Sequence, residues 1–512
     1  MAFINFLWHL HQPAYRTADD VSHAPWVLLH AGGAYSTLAR AIETSGGRGQ
    51  TINIVPTLLE QLLAYRDGRA IDPVSTSLVT PTRDLSSEQR RTVTTWSRHL
   101  SPRQLGRSPR LQELHGRPVA DLGSTELRDL QVLTILAHAG EWAWRDEELS
   151  QLNARGRNFS PSDLAQVAEW LRTQPDRLIT LWLRLAHQEG VEISTSPYAH
   201  PIMPLLIDSS IVEASWAPDS GPEVPDFRHR EDAERQLREG LRYMEDAGFS
   251  PAGCWPPEGA VSCAAIEVYA AAGIQWLVTD EGILEKSLAE PVRRDGVASP
   301  ALYRPWRTQG PSPVLFFRDR QLSDLIGFEY GNWHDEGVAA IDLVSRLRGL
   351  AATLPTDASI VIALDGENAW SHYAEGGGRF LEALMGLINE TTPELVPANL
   401  DTLSRRLEPD TLPRLHPGSW INAIFATWIG HPEKTAAWKL LGKVRDALPD
   451  TDLPPSMLLA EGSDWFWWLG EDNPTALAPL YDRIFRTHLA DACNQAGIDP
   501  PDDLDRPLKK AD

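Results

Sequence analysis

The stretch Ser359-Ile-Val-Ile-Ala-Leu-Asp365-Gly-Glu-Asn368 has the pattern of a buried β-strand that ends abruptly in polar residues. Every residue between Ser359 and Asp365 is apolar, as in a strand that is covered on both faces. Asp365 and Glu367 both carry carboxyl groups suited to proton transfer. Because Asp365 is the first polar residue after the strand, we expect it to be held more firmly than Glu367.

Short runs of the same kind recur along the chain, separated by longer segments of helical composition. They are Phe3–Trp8, Thr51–Val55, Val191–Ser194, Gly253–Trp255, Ile274–Thr279 and Val314–Arg318. Apolar strands that alternate with longer connections predict a parallel α/β sheet, and these runs together fit a barrel one strand short of the usual eight. We therefore expect an α/β fold built on an incomplete (β/α)7 barrel.

Polar residues follow these runs at or just beyond their carboxyl ends. They are His9, His11, Glu192, Glu258, Asp280, Asp319 and Asp365. The active site of such a barrel is built from the loops at this end of the sheet, whereas the opposite end mostly serves stability. The sequence therefore predicts an active site at the carboxyl ends of the strands.

Two regions of the chain lack strand-like runs. The first, about residues 57–190, contains helical patterns such as Ser124–Trp144 and Pro161–Gln188 and is too long for one crossover helix. The second begins at about Gly377. We expect residues 1–376 to form the catalytic barrel with a helical insertion, and residues 377–512 to form a C-terminal helical bundle that completes the active-site cleft.

The composition excludes several classes of function. The formal charge of −23 would repel nucleic acids and anionic lipids, so we expect neither partner. Three cysteines without metal-type or redox spacing, no stretch long enough to span a bilayer and no signal-peptide pattern favour a cytoplasmic protein. The 19 tryptophans favour a carbohydrate site, although most of them are expected in the core.

The first run ends in two histidines. Period-two alternation puts His9 and His11 on the same side of the strand, facing the mouth of the barrel. Two imidazoles there could bind a metal ion, hydrogen-bond a sugar or serve only the structure of the strand end.

A carboxyl group and a histidine lie around the third run. An interior carboxylate such as that of Glu192 is costly unless it is paired, so it should accept hydrogen bonds from a substrate hydroxyl or from a histidine. His200 follows shortly after the strand. A purely structural ion pair remains the alternative for Glu192.

The loop Gly253-Cys-Trp-Pro-Pro-Glu258 is the most constrained of the strand ends. Two consecutive prolines restrict the backbone and hold Glu258 just beyond Trp255. A nucleophile needs such a fixed direction, although a surface residue after a turn would give the same pattern.

Glu258 and Asp365 together fit the two-carboxylate scheme of glycoside hydrolysis. One group attacks the anomeric carbon, and the other protonates the leaving oxygen and later activates water. The scheme predicts a separation of about 5–5.5 Å for retention and about 6.5–9.5 Å for inversion. Trp255, Trp370 and Tyr373 could supply the apolar surroundings that raise the pKa of the acid.

Five segments resemble, in the correct order, the conserved regions of glycoside hydrolase family 57. They are Trp8–Pro13, Gly190–Pro204, Cys254–Ala260, Leu364–Trp370 and Glu461–Trp468. The segments from Phe316–Arg320 to Gly331–Trp333, and from Gly418–Phe425 to Trp428–Pro432, resemble the amylase and amylopullulanase-type branch. One such motif is weak evidence, whereas five in order are strong.

The resemblance implies a retaining enzyme that acts on starch-like or glycogen-like α-glucans and needs no metal and no cofactor. It implies Glu258 as nucleophile and Asp365 as acid/base. The residues at motif positions associated with the sugar site are His11, Glu192, Trp255, Asp464 and Trp465. As further substrate-binding candidates we take His9, His200, Glu367 and Trp420.

Three alternatives stay open at this stage. The same fold and carboxyl pair could transfer the glycosyl group to another sugar, as a 4-α-glucanotransferase or a glucan branching enzyme does. His9 and His11 could instead be metal ligands in a deacetylase-like or mannosidase-like barrel. The chain could also be a glucan-binding relative without catalysis, although both Glu258 and Asp365 are present.

Overall fold

A central sheet, mostly parallel, organises the computed structural model, which describes residues 1–216, 223–390, 392–449 and 453–509. The strands are β1 (Ala2–Leu10), β2 (Gln50–Ile54), β3 (Val191–Thr195), β4 (Gly253–Cys254), β5 (Trp276–Asp280), β6 (Arg293–Arg294), β7 (Val297–Ala298), β8 (Trp306–Arg307), β9 (Val314–Arg318), β10 (Ser359–Asp365), β11 (Leu395–Pro397) and β12 (Asp410–Thr411).

The strand order in the sheet follows the predicted runs. Strands β10, β1, β2, β3, β4, β5 and β9 lie side by side in that order, and every neighbouring pair among them is parallel. The predicted parallel sheet is thus confirmed. The first and last strands of this series, β10 and β9, are linked to each other. The Asp319 amide, directly after β9, donates to the Val361 carbonyl of β10 at 2.9 Å.

Helices connect and cover the strands. They are α1 (Trp26–Gly32), α2 (Ala34–Ser45), α3 (Pro56–Arg66), α4 (Pro73–Val79), α5 (Ser87–Trp96), α6 (Pro102–Gly106), α7 (Pro109–Leu114), α8 (Ser124–His138), α9 (Glu141–Arg145), α10 (Glu147–Arg155), α11 (Pro161–Ala186), α12 (Met203–Ile207), α13 (Val212–Ser215), α14 (Arg230–Asp246), α15 (Cys263–Ala271), α16 (Glu281–Leu288), α17 (Arg320–Asp324), α18 (Glu336–Thr353), α19 (Gly378–Asn389), α20 (Leu400–Arg406), α21 (Pro432–Ala447), α22 (Pro455–Ala460), α23 (Ser463–Trp467) and α24 (Ala478–Ala496).

The region between β2 and β3 is helical, from α3 to α11, as the sequence indicates. Much of it packs around an apolar core of its own, in which Leu78, Leu111 and Leu133 are buried. Its longest helix, α11, starts at a local signal: the Ser160 side chain accepts from the Asp163 amide and Pro161 occupies the first turn.

The chain beyond Gly377 is mainly helical but also supplies strands, which the sequence did not predict. Strand β11 pairs in parallel with β1, and β12 pairs in parallel with β8. Strands this short have no recognisable alternation of apolar and polar residues. Helix α19 packs against α2 and α18 on the outside of the sheet.

Within the part of the chain that is described, no helix is both long and apolar enough to cross a membrane.

Candidate active site

A cavity of about 500 Å³ opens at the carboxyl ends of the strands, and most of the predicted site residues line it. These residues are His9, His11, His200, Trp255, Glu258, Asp365, Glu367, Trp420 and Asp464. They come from segments far apart in the sequence, from the end of β1 to helix α23. The expectation that the strand ends meet at one site agrees with this geometry.

Glu258 sits in a strained turn that fixes its direction. Its φ of +56° and the +58° of Gly259 both lie in the left-handed region, which costs a residue with a side chain about 1–3 kcal/mol. The preceding prolines restrict the turn, and the Trp420 amide donates to the Glu258 carbonyl at 2.9 Å. The Trp420 indole Nε1 also donates to Glu258 Oε2 at 2.9 Å, so both backbone and carboxylate are anchored.

Asp365 is held at the end of β10, directly opposite His9 of β1 in the parallel register. The Asn368 side-chain amide donates to Asp365 Oδ2 at 2.8 Å. Burial raises the pKa of Asp365, whereas the Asn368 hydrogen bond and the charges of His11 and Arg318 oppose that rise.

The two carboxyl groups influence each other. The pKa of Glu258 is raised well above its usual range, first by burial and then by the negative charges of Asp365 and Asp464. The Trp420 hydrogen bond works in the opposite direction. Ionisation of Asp365 therefore makes ionisation of Glu258 less favourable.

Three imidazole rings form a cluster beside this pair. The ring centroid of His200 lies 4.8 Å from that of His9 and 4.1 Å from that of His11, and the centroids of His9 and His11 are 5.9 Å apart. Burial and the neighbouring imidazoles lower the pKa of His9 to about 3 and that of His200 well below its usual range. Both rings are therefore neutral at physiological pH and act as hydrogen-bonding groups rather than as cations.

Polar neighbours orient the three rings. His9 Nδ1 lies 2.8 Å from Asn53 Oδ1, and His200 Nδ1 lies 3.0 Å from Ser463 Oγ. His11 Nε2 lies 2.9 and 3.0 Å from the two carboxylate oxygens of Asp464. Helix α23 thus holds two of the rings from the far side of the cavity.

Several buried polar atoms of the cavity wall have no hydrogen-bond partner in the protein. They are His11 Nδ1, His200 Nε2, Trp255 Nε1 and Glu367 Oε2. A buried polar atom left unpaired costs about 1–3 kcal/mol, so such atoms ordinarily have a partner. All four atoms belong to residues that line one cavity.

The histidines do not form a ready metal site. Among the described residues, the donor atoms that come within 4.8 Å of one another in a group of three belong to Glu141, Glu336 and Glu375. The ring centroids of His9, His11 and His200 lie 4.1 to 5.9 Å apart, but their nitrogens do not belong to that group.

Two predicted substrate-binding residues do not line the cavity. The Glu192 carboxylate accepts from Trp276 Nε1 at 2.8 Å and from the Asp401 amide at 3.2 Å, at a distance from the other candidates. Its burial raises its pKa to about 7. The buried Trp465 indole donates to the Leu459 carbonyl at 2.8 Å. The alternation of residues along a strand predicts that a side chain such as that of Glu192 points inward. It does not predict how far along the strand axis from the cavity that side chain lies.

The helical insertion and the C-terminal helices contribute residues that the strand-end argument missed. Of the residues that line the cavity walls, Trp26 and His30 come from α1, His99, Gln104 and His138 come from the insertion, and Trp467, Trp468 and Tyr481 come from the C-terminal helices. The rings of Trp468 and Tyr481 are stacked, with centroids at 5.1 Å. The high tryptophan content was the one sequence signal for these walls.

Arg318 connects the elements that carry the two carboxyl groups. Its guanidinium lies 5.0 Å from the centroid of the Trp420 ring and donates to the Ala363 carbonyl at 3.0 Å. It also pairs with Asp280 at 2.9 Å and is 6% exposed. Trp420 binds Glu258 and Ala363 precedes Asp365 on β10, so one buried cation touches both sides of the pair.

Solved structures with the same fold are enzymes of α-glucan metabolism. A branching enzyme from Thermococcus kodakaraensis matches with a TM-score of 0.61 and 16% identity, over 96% of this chain and 90% of that one. A branching enzyme from Pyrococcus horikoshii gives 0.59 and 16%, over 100% and 99%. The α-amylase AmyC from Thermotoga maritima gives 0.57 and 13%, over 96% and 92%. These likenesses establish the fold.

No curated protein matches the sequence of the chain. The family model described as glycosyl hydrolase family 57 matches residues 5–405, which include the strands β1 to β10 and both carboxyl groups of the cavity. Because this match covers well over half of the sequence, the chain belongs to glycosyl hydrolase family 57.

Proposed function

We propose that the protein is a retaining glycoside hydrolase that cleaves α-glucosidic bonds of starch-type or glycogen-type glucans and of maltooligosaccharides, in the manner of α-amylases and amylopullulanases. The observation that carries the proposal is the cavity itself. A carboxyl pair with raised pKa values lies beside unpaired buried polar atoms and aromatic walls. A neutral, hydroxyl-rich and partly apolar ligand suits such a site.

In the proposed reaction Glu258 attacks the anomeric carbon while Asp365 donates its proton to the glycosidic oxygen. The bond to the leaving sugar breaks and a covalent glycosyl-enzyme forms. Asp365 then takes a proton from water, whose oxygen attacks the anomeric carbon and releases Glu258. The strained, doubly anchored turn of Glu258 suits a nucleophile, and the burial of Asp365 suits an acid that must hold its proton near neutral pH.

The remaining cavity residues would bind the sugar. They are the histidines His9, His11 and His200, together with Trp255, Glu367, Trp420 and Asp464. The reaction as proposed uses no metal and no cofactor. An α-glucan is the proposed partner.

The proposal also includes the barrel architecture and the division of the chain into two domains. The parallel series from β10 to β9, with a main-chain bond between its end strands, fits an incomplete (β/α)7 barrel. We propose residues 1–376 as the barrel with its insertion and residues 377–512 as the helical domain that completes the cleft. Trp420, Asp464 and Tyr481 of the latter line the cavity, which supports this division.

Transfer of the glycosyl group to another glucan is the second candidate. Aromatic residues of α1 and of the C-terminal helices line the cavity: Trp26, Trp467, Trp468 and Tyr481. They offer apolar planes for both a donor and an acceptor sugar. Whether water or a sugar hydroxyl reaches the glycosyl-enzyme then decides between hydrolysis and transfer.

The product profile from maltoheptaose, measured in EDTA, tests both candidates. Hydrolysis gives only shorter sugars, and transfer also gives longer ones. The variant Glu258→Gln should lose at least about 10³-fold in kcat because it removes the nucleophile. Glu267→Gln, the same change at an exposed position on α15, is the matched control and should keep full activity. Full activity of Glu258→Gln would refute the assignment.

A further inference from the structure

We propose that an exposed surface beside the cavity mouth, formed by Phe328, Asn332, Trp333 and His334 and called here the rim patch, binds an α-glucan chain outside the active site. The inference rests on the proposed function. Phe328 is 75% exposed and Trp333 is 36% exposed, and Val338 and Ile341 next to them are exposed as well. Large apolar side chains clustered on a surface mark a binding site more often than single ones do.

The tryptophan of the rim patch is held in place. Its ring packs edge-on against Tyr330, with centroids at 5.2 Å and an interplanar angle of 89°. The Tyr330 hydroxyl donates to Asp342 Oδ2 at 2.7 Å, and the Trp333 amide donates to the Tyr330 carbonyl at 3.0 Å. A fixed, exposed indole plane binds a ligand with little loss of side-chain entropy.

The rim patch continues from the wall of the cavity. His372 is exposed, lines the cavity and touches the patch: a Cβ on Gly331 would lie 3.1 Å from His372 Cβ. The Arg103 side chain donates to the Gly331 carbonyl at 3.4 Å. A chain that leaves the cavity past His372 therefore reaches the turn that carries Trp333.

The chemistry of the surface favours a neutral sugar chain over other occupants. Residues 325–342 contain no Lys or Arg, the arginines Arg346 and Arg379 beside them pair with Asp342 and Asp335, and Glu329 is exposed between the two aromatic residues, which favours a neutral ligand over an anionic one. Asn332 and His334 are exposed beside the rings and can hydrogen-bond sugar hydroxyls.

The size of the cavity explains why a polymer needs such a surface. About 500 Å³ is the size of a site for a small molecule, so most of a glycogen or amylopectin chain must remain outside it. The rim patch would raise affinity for the polymer without touching the reacting bond.

Affinity electrophoresis in gels that contain glycogen tests the proposal without any need for catalysis. Phe328→Ala and Trp333→Ala should each weaken retention about fivefold, near the middle of the range for an aromatic contact. KM for glycogen should rise similarly, whereas kcat/KM for maltotriose, which fits within the cavity, should stay unchanged. Ile341→Ser is the matched control, since it removes an exposed apolar side chain without a ring and should alter neither measurement.

Three results would overturn the proposal: no retention of the wild-type protein, unchanged retention of the Phe328→Ala/Trp333→Ala variant, or a wild-type dimer in light scattering that both Trp333→Ala and Ile341→Ser dissociate. The outcome is separable from that of the proposed function. Retention that depends on Trp333 in a protein that leaves maltoheptaose intact would support the rim patch and refute the hydrolase.

Discussion

At the scale of single residues, the environment of each carboxyl group assigns it a different task. Glu258 is anchored by Trp420 at both its backbone and its side chain, whereas Asp365 has Asn368 as its hydrogen-bond donor. Glu367 differs from both, because one of its oxygens is buried without a partner at the cavity wall. Three acids within one cavity thus suit attack, proton transfer and hydrogen bonding to a substrate.

Glu367 should act as a neutral hydrogen-bonding group. Burial and the charge of Asp365 raise its pKa well above the usual range, while the amide of His11 and the side chain of Gln12 oppose the rise. Glu367→Gln keeps the shape and the neutral hydrogen-bonding groups, so kcat/KM for maltoheptaose should fall by less than about threefold. Glu367→Leu leaves the substrate hydroxyl unpaired and should cost about 10-fold or more.

Asp365→Asn is the variant with which the activity of Glu367→Gln is compared. That variant removes the proposed acid/base and should lose almost all turnover. If Glu367→Gln were equally inactive, Glu367 would need to be ionised and the neutral role would be wrong.

At the scale of secondary-structure elements, the sheet brings together groups that the sequence keeps apart. Arg318 at the end of β9 contacts the Trp420 loop and the carbonyl of Ala363 on β10. It therefore stiffens the junction of the elements that carry Glu258 and Asp365, and its charge lowers the pKa of Asp365. We propose that the position of Glu258 relative to Asp365 depends on this contact.

Replacing Arg318 with Met should change both rate and pH dependence. Loss of the contacts should lower kcat about 10–100-fold, because small displacements of catalytic groups are costly. Loss of the positive charge raises the pKa of Asp365, and an acid with a higher pKa stays protonated to higher pH. The alkaline limb of the kcat profile should therefore move to higher pH.

Arg320→Met is the control for this prediction. Arg320 also pairs with Asp280, yet it is not among the groups that influence the pKa of Asp365. Because Arg320 remains to neutralise Asp280 in the Arg318 variant, the fold should survive. An identical shift of the alkaline limb in both variants would contradict the special role of Arg318.

At the scale of the whole molecule, the two ends of the chain meet and stabilise the site. His488 of α24 is fully buried, and its Nε2 lies 2.8 Å from the Ala14 carbonyl, just beyond β1. Burial lowers its pKa to about 4. Docking of α24 also contributes Tyr481 to the cavity wall, so folding of the C-terminal helices and completion of the site are coupled.

This histidine should make stability depend on pH. Its unfolded pKa is about 6.5 and its folded pKa is lower, so the unfolded state binds the extra proton. Its contribution is present above pH 6.5 and is lost as pH falls toward 4, with a slope of up to about 1.4 kcal/mol per pH unit. His488→Gln can keep the bond to Ala14 but cannot titrate.

Urea unfolding at pH 7.5, 5.5 and 4.5, as conditions spanning that range, measures the effect. The free energy of unfolding of His488→Gln should fall less with decreasing pH than that of the wild type. His334→Gln changes an exposed histidine and should follow the wild-type curve. Parallel curves for His488→Gln and the wild type would exclude the contribution of His488.

The sequence by itself determined the parallel sheet and the loops that carry Glu258 and Asp365. Strand patterning and a constrained Trp-Pro-Pro-Glu turn are local signals, and local signals can be read from neighbouring residues. Even the end of β10 follows from the change from apolar residues to Asp365.

Only the tertiary structure decided which residues share the cavity. It put Glu192 with Trp276 and Asp401 instead of with the candidate site, brought Trp26 of α1 and His138 of the insertion to the wall, and joined Arg318 to Trp420. It also added β11 and β12, which are too short to show a pattern. These contacts depend on how elements that are distant in sequence are aligned with one another. Packing sets this alignment, and local residue patterns do not encode it.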